Sequence, residues 1–233
     1  MNATRRSFLA AGMAAASTLA LSRLRGASAS AAPAEIARPA PQDPDRVFEF
    51  VRAGHGNLAR VKEMLAADPR LALAAWDWGA GDWETALGGA SHLGNREIAR
   101  YLLEHGARQD LFCSAMLGER DAVLALVAAH PALANTDGPH GLSLLYHAAI
   151  SGDVDLAQGI APHLGRRARD CNQALIAAAR GGHAPMTTWL LANGVTNPQS
   201  KDALGKTAAA YAEEKGFADV TAALQSAGPG NRK

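Results

Sequence analysis

One pattern anchored on glycine recurs six times along this chain of 233 residues. In its clearest copy, Gly94 is followed by a polar start, by apolar residues four, five, eight and nine positions later, and by Gly106. Apolar residues at those intervals lie on one face of a helix with 3.6 residues per turn. Each copy therefore predicts one amphipathic outer helix, and the six anchor glycines are Gly56, Gly94, Gly118, Gly152, Gly182 and Gly216.

A second, shorter pattern of apolar and small residues precedes the anchor glycines. Small residues stand four and three positions before the glycine, as in Ala90 with Ser91 and Ala148 with Ala149. They predict a short inner helix that approaches the outer helix closely, with the glycine as the tight turn between the two. The sequence therefore predicts an all-α fold of about six helix-turn-helix repeats.

These repeats resemble the ankyrin repeat, in which Thr-Pro-Leu-His opens the inner helix and Gly-His links it to the outer helix. The resemblance covers residues 46–228, although no copy has the complete Thr-Pro-Leu-His. It implies a solenoid with short β-hairpin-like loops and a role in protein recognition. The matching residues are Gly182-His183, Gly106-Ala107 and, at the threonine position, Thr85, Ser143 and Thr207.

The first 29 residues have the composition of a signal peptide. Two arginines precede a short Ala-rich apolar run, and small residues then form an A-x-A cleavage zone. The run is too short and too weakly apolar for a permanent membrane anchor. Its start is similar to a twin-arginine (Tat) signal, which implies export to the periplasm or the medium and cleavage after Ala29 or Ala31. The residues that match the signal motif are Arg5, Arg6, Phe8 and Leu9.

The chain is predicted to have four segments. These are the signal peptide at residues 1–29, a Pro- and Ala-rich linker at 30–45, the repeat domain at 46–228 and a disordered tail at 229–233. Removal of the four arginines of the signal leaves 19 basic against 22 acidic side chains, a formal charge of about −3. This balance gives no electrostatic footprint for nucleic acid or an anionic membrane, so we expect neither as a partner.

Motifs that carry chemistry are missing from the sequence. No glycine-rich nucleotide loop and no G-x-S-x-G elbow stands in it, and no histidine pair has metalloprotease spacing. Cys113 and Cys171 have no metal-ligand spacing and fall two repeats apart, so we expect free thiols, with Cys113 packed and Cys171 nearer the surface. The sequence therefore predicts a protein that is not an enzyme and has no cofactor and no metal.

The ends of the inner helices are expected to face the concave side of the repeats, where solenoids bind their partners. A contiguous apolar surface there would be an interaction site. The alternative is that these side chains fill gaps between neighbouring inner helices. The candidate partner-binding residues at these positions are His92, Leu93, Met116, Leu117, Ile150 and Arg180.

Three of the four tryptophans lie in the octapeptide WDWGAGDW, residues 76–83, between the first and second repeats. Its two glycines predict a turn, and alternation along an extended strand places Trp76 and Trp78 on one side. Because tryptophan is enriched among residues that dominate binding energies, Trp76, Trp78 and Trp83 are also candidate partner-binding residues. The alternative is that Trp83 and a neighbour cover the exposed edge of the short third repeat.

These observations favour a non-enzymatic periplasmic scaffold, monomeric when free, that binds a protein partner through its hairpin tips and concave face. An alternative is a metal- or small-molecule-binding accessory factor for an exported enzyme, suggested by His92, His105, His140 and His147. A third interpretation, a secreted effector, rests on fold analogy alone.

Overall fold

A computed structural model describes residues 40–226 of the chain. This part is all-α apart from one short hairpin, as the sequence predicts, and each of its helices is too short or too polar to span a membrane. The signal motif, most of the linker and the tail lie outside the described residues. The helices are α1 (Pro44–Gly54), α2 (Leu58–Ala67), α3 (Ala86–Leu93), α4 (Arg96–Glu104), α5 (Leu111–Leu117), α6 (Arg120–Ala129), α7 (Leu144–Ser151), α8 (Val154–Ile160), α9 (Arg167–Gly181), α10 (Ala184–Asn193), α11 (Ala208–Lys215) and α12 (Ala218–Ser226); the strands are β1 (Ala75–Asp77) and β2 (Trp83–Thr85).

The first helix begins at Pro44, slightly before the predicted start of the domain at residue 46. Asp43 caps this helix, because its side chain accepts a hydrogen bond from the backbone N–H of Asp45 at 2.9 Å. Proline is favoured in the first turn of a helix, where its missing N–H would have no partner. The last proline of the predicted linker therefore belongs to α1.

Within residues 40–226 the helices follow one another as six pairs. Five of the anchor glycines end the first helix of a pair in a left-handed conformation, with φ between 69° and 79°. Residues with a Cβ rarely adopt this conformation. At Gly94 an added Cβ would also lie 2.8 Å from Cγ2 of Ile150. The predicted glycine turns are confirmed at these five positions.

The odd-numbered helices pack against one another in chain order from α1 to α11, and α6, α8, α10 and α12 form a second row. Large apolar side chains such as Phe50, Leu87, Leu145 and Leu175 are buried in the core. Helix α3 contacts α7 as well as α5. The row of odd-numbered helices therefore curves enough to bring the second and fourth pairs together.

The predicted turn between the first two helix pairs is a β-hairpin. Strands β1 and β2 are antiparallel, with Trp76 opposite Glu84. Residues 79–81 make the turn, and all three have positive φ. Glycine at two of these positions permits that conformation at little cost.

A second connection, between α6 and α7, approaches this hairpin. Here Asp137 forms an isolated β-bridge with Ser143, and His140 between them has a φ of +60°. The backbone N–H of His140 donates to Oδ1 of Asp82 at 2.9 Å. The two connections are therefore joined side by side at one end of the helix rows.

Candidate functional site

The predicted contact residues at the helix ends divide into buried and accessible side chains. Met116 is fully buried, and only 7% of His92 is exposed, so the prediction that these two face a partner is wrong. Met116 packs in the hydrophobic core formed by residues of α1 to α5, and His92 packs against His55, Glu84 and His140. Leu117 and Ile150 are half-buried against the core, whereas Leu93 is 38% exposed.

A groove of about 410 Å³ lies along the accessible helix ends. Its lining is mainly polar and positively charged, with a smaller apolar part, and none of its lining residues carries a carboxylate. The structure thus brings three of the predicted contact residues together in one concave surface. The apolar lining residues are Leu93, Ile150, Ala177 and Phe217, and the cationic ones are Arg96, Arg180 and Lys215.

The three cations of the groove donate hydrogen bonds to backbone carbonyl groups. Arg96 Nη1 donates to Leu117 O at 3.0 Å, Arg180 Nη2 to His92 O at 2.7 Å, and Lys215 Nζ to Arg180 O at 3.0 Å. Burial lowers the pKa of the Arg96 guanidinium from its usual value. A carbonyl holds a cation in place without cancelling its charge, so the groove carries a net positive charge.

The three tryptophans of the hairpin have different surroundings. Trp76 and Trp78 lie on the same side, as predicted, and both contact the ring of Phe48 in α1, with centroid separations of 5.1 and 5.7 Å. Trp78 Nε1 also donates to Oε2 of Glu84 at 2.8 Å. Trp83, by contrast, is 62% exposed. Trp76 and Trp78 pack on Phe48, but Trp78 is still 37% exposed, and Trp83 is the most exposed of the three.

Four side chains with metal-binding chemistry converge beside the hairpin, and we call them the histidine–glutamate cluster: His55, Glu84, His92 and His140. One donor atom from each lies within 4.8 Å of the others. Oε2 of Glu84 is 3.2 Å from His55 Nε2 and 3.5 Å from His140 Nε2, and Oε1 is 3.0 Å from His92 Nε2. Imidazole nitrogens and carboxylate oxygens are ligands that could hold a metal ion.

Each member of the cluster comes from a different element of the fold. His55 directly follows α1, Glu84 lies in β2, His92 is in the last turn of α3, and His140 is in the 3-10 helix Pro139–Gly141. Helix α1 packs on α3, and the connection that contains His140 also packs on α3. Helix packing and the paired connections therefore assemble residues that lie far apart in the chain.

Burial and the histidines act in opposite directions on Glu84. Burial favours the neutral acid, but the hydrogen bonds and charges of His55 and His92 outweigh it and lower the pKa of Glu84 to about 2. Burial also opposes the charged form of His55, yet Glu84 raises the pKa of that ring. For His92 burial dominates and lowers the pKa. At neutral pH the cluster therefore holds a buried carboxylate anion.

The other two histidines of the predicted metal set do not join the cluster. His105 is exposed and stacks on Tyr101, with ring centroids 4.0 Å apart. His147 is fully buried, with Nδ1 at 2.9 Å from the carbonyl of Ser143, and burial lowers its pKa to about 4. Of the four predicted residues, the structure thus brings together His92 and His140.

Sequence reasoning missed His55 and Glu84. A usable signal for Glu84 was strand alternation after the predicted turn, which gives it the opposite face from the exposed Trp83. The thiols of Cys113 and Cys171 are free, as predicted, but both are buried, so the expectation that Cys171 lies near the surface is wrong. Burial raises the pKa of each thiol to about 11, which keeps both protonated at neutral pH.

The chain was also compared with known proteins. No protein-family model and no curated protein matches it.

Proposed function

We propose that the protein is an exported ankyrin-type solenoid that binds a protein partner. The succession of helix pairs with left-handed glycine turns supports a repeat architecture. The residues at the ankyrin threonine position also act as helix N-caps: Thr85, Ser143 and Thr207 each accept a hydrogen bond from the backbone N–H three residues later. The twin-arginine-like signal supports export to the periplasm or the medium.

The observation that carries partner binding is the chemistry of the groove. A positively charged groove that also exposes some apolar surface, here chiefly Leu93, is typical of interfaces, where arginine is enriched and complementary charges fix the register. A segment with acidic and apolar side chains would complement it. In this proposal the protein is not an enzyme, is monomeric when free, and contacts its partner mainly through Leu93, Ile150 and Arg180, with Trp83 at the margin of the hairpin.

Site-specific photocrosslinking in the organism that produces the protein tests this proposal. A photocrosslinking amino acid is placed at Leu93 in the groove or, as a matched control, at Leu126, which is 46% exposed on α6. We expect one defined crosslinked protein from position 93 and none from position 126. Equal crosslinking at both positions, or none at either, would contradict binding through the groove.

Charge reversal tests the acidic character of the partner. Lys215→Glu places a negative charge in the groove, whereas Arg108→Glu makes the same change at an exposed site outside its lining. We expect Lys215→Glu to reduce capture of the crosslinked partner by about tenfold, because like charges across an interface repel. Arg108→Glu should leave capture unchanged.

A further inference from the structure

We propose that His55, Glu84, His92 and His140 form a binding site for one divalent first-row transition metal ion, with zinc as the ion to test. This inference does not depend on partner binding, since none of the four side chains lines the groove. Four ligands held by a tetrahedral ion at about 2.0–2.1 Å lie roughly 3.3 Å from one another. Oε2 of Glu84 lies 3.2 Å from His55 Nε2 and 3.5 Å from His140 Nε2, close to that value, and His92 Nε2 lies 3.0 Å from the other carboxylate oxygen, Oε1.

The hydrogen bonds of two rings orient their free nitrogens toward Glu84. Nδ1 of His55 is 3.0 Å from the carbonyl of Val51, and Nδ1 of His140 is 2.8 Å from Oδ2 of Asp82. Because both partners are acceptors, Nδ1 carries the proton in each ring. In the neutral rings, Nε2 then presents a lone pair toward the Glu84 carboxylate. An Nε2 lone pair cannot bond to the Glu84 carboxylate directly, so a cation lies between them: either a proton on the ring or one metal ion that binds all the rings at once.

The third ring supplies an unpartnered pair of buried atoms. Nε2 of His92 and Oε1 of Glu84 are 3.0 Å apart, and unless Nε2 carries a proton neither atom has a hydrogen-bond partner among the described residues. The side chain of Glu84 is fully buried and that of His92 is 9% exposed. Buried polar atoms are normally satisfied, so two orphans that point into one cluster indicate a ligand that completes it.

A second layer of side chains holds these ligands in place. Trp78 Nε1 donates to Oε2 of Glu84 at 2.8 Å, and Asp82 accepts from both the backbone N–H and Nδ1 of His140. His140 adopts a φ of +60°, which is unusual for a residue with a side chain and clusters at functional sites. A carboxylate on the far nitrogen of a ligating histidine is the usual outer partner of a metal site. Trp78 and Asp82 are therefore positioning residues.

The donor set selects the class of metal. Three imidazoles favour zinc, copper, iron or nickel, whereas calcium and magnesium require oxygen ligands. The two cysteines are absent from the cluster, so no thiolate contributes. The side chains of His140 and His55 are 36% and 26% exposed. An ion can therefore enter from the side on which these two rings lie.

Titration of the purified full chain with zinc chloride tests the site. After treatment with a chelator and dialysis, we expect calorimetry to show one zinc ion per chain. His140→Ala should weaken binding by more than about 100-fold, beyond the usual effect of losing an outer-shell partner. The matched control is His105→Ala, an exposed histidine outside the cluster, which should retain the affinity. Absence of stoichiometric binding, or equal affinity in both variants, would overturn the proposal.

Cobalt provides a second measurement that needs no variant. Cobalt(II) bound by three imidazoles and one carboxylate should give the intense visible absorption of a four- or five-coordinate ion, and equimolar zinc should abolish it. The weak spectrum of a six-coordinate ion would overturn the assigned ligand set, because coordination geometry is diagnostic of the donors. Circular dichroism of each variant establishes that it is folded before its affinity is compared.

Discussion

Glu84 and Asp137 both lie in connections between helix pairs, and their partners differ in kind. Asp137 receives paired hydrogen bonds from Arg166 and Arg169, at 2.8–3.2 Å. Partial burial opposes the charged form, but these guanidinium groups hold the pKa of Asp137 below its usual value. Glu84 is surrounded instead by imidazoles. Because a guanidinium is always protonated, the charge of Asp137 is neutralised permanently, whereas an imidazole can exchange its proton for a metal ion.

Asp137 with Arg166 and Arg169 forms a permanent ion-pair group, which we call the Asp137 clamp. The histidine–glutamate cluster is instead a site at which protons can be exchanged for a metal ion. Both carboxylates have lowered pKa values and close cationic or imidazole partners, so neither property alone identifies a binding site. The distinguishing features of the Glu84 site are complete burial, ring nitrogens directed at the anion, and two buried atoms that lack partners unless His92 is protonated on Nε2. The predictions below test whether these features correspond to metal binding.

The largest expected effect is on zinc affinity. Glu84→Gln removes the anionic ligand with little change in shape and should weaken zinc binding by more than about 100-fold, which corresponds to about 2.7 kcal/mol. Asp137→Asn makes the same chemical change in the clamp and should leave zinc affinity unchanged. Calorimetric titration of both variants with zinc measures the two affinities. An equal loss of zinc affinity in both variants would show that Glu84 does not differ from Asp137 as a zinc ligand.

The next effect concerns the indole that holds Glu84. Trp78→Phe keeps an aromatic ring against Phe48 but removes the N–H donor to Oε2 of Glu84, so zinc affinity should fall by about tenfold. Trp83→Phe is the matched control, because Trp83 is largely exposed. Competition with a zinc indicator measures both affinities. If Trp83→Phe weakens zinc binding as much as Trp78→Phe, then the hydrogen bond from Trp78 to Glu84 does not support the zinc site.

Zinc binding to the histidine–glutamate cluster should also depend on pH. The raised pKa of His55 means that zinc must displace a proton from this ring below that pKa. Zinc affinity should therefore decrease by about tenfold for each pH unit of acidification below the pKa of His55. Zinc affinity decreases in acid because a protonated imidazole has no free lone pair with which to bind a metal ion. Titrations at several pH values give the slope, and a pH-independent affinity would show that His55 is not a ligand.

The smallest effect is the stability contribution of the clamp. Asp137→Asn removes ion pairs whose side chains are each about one-third exposed, so we expect a loss of about 1 kcal/mol in the free energy of unfolding. Denaturant unfolding of the metal-free protein measures it. A loss several times larger would mean that Asp137 organises the fold, and not only the connection between α6 and α7.

Much of the fold could be predicted from local sequence. The helices and their glycine turns follow from apolar periodicity and from positions such as Gly94, where only glycine fits. The curvature of the helix row could not be predicted, because it depends on the close packing of α3 on α7. The sequence places Met116 and His92 at a surface, whereas Met116 is buried in the core and His92 against His55, Glu84 and His140.

The histidine–glutamate cluster lay mostly beyond sequence reasoning. Its members are separated by tens of residues or belong to different elements, so no spacing rule applies to them. His55 fits beside α3 because Gly89 has no side chain; an added Cβ there would lie 2.8 Å from the ring. The tryptophans are the most conspicuous feature of the octapeptide WDWGAGDW in the sequence, yet its most specific contacts are those of Trp78 with Glu84 and of Asp82 with His140.

The most direct test of the metal site is a crystal structure of the zinc-loaded protein, with anomalous diffraction recorded on both sides of the zinc absorption edge. The account predicts one zinc peak per chain, with His55, His92 and His140 nitrogens and a Glu84 oxygen at about 2.0–2.2 Å from it. A zinc ion bound elsewhere, or a protein crystallised with zinc whose cluster shows no anomalous peak, would contradict the account.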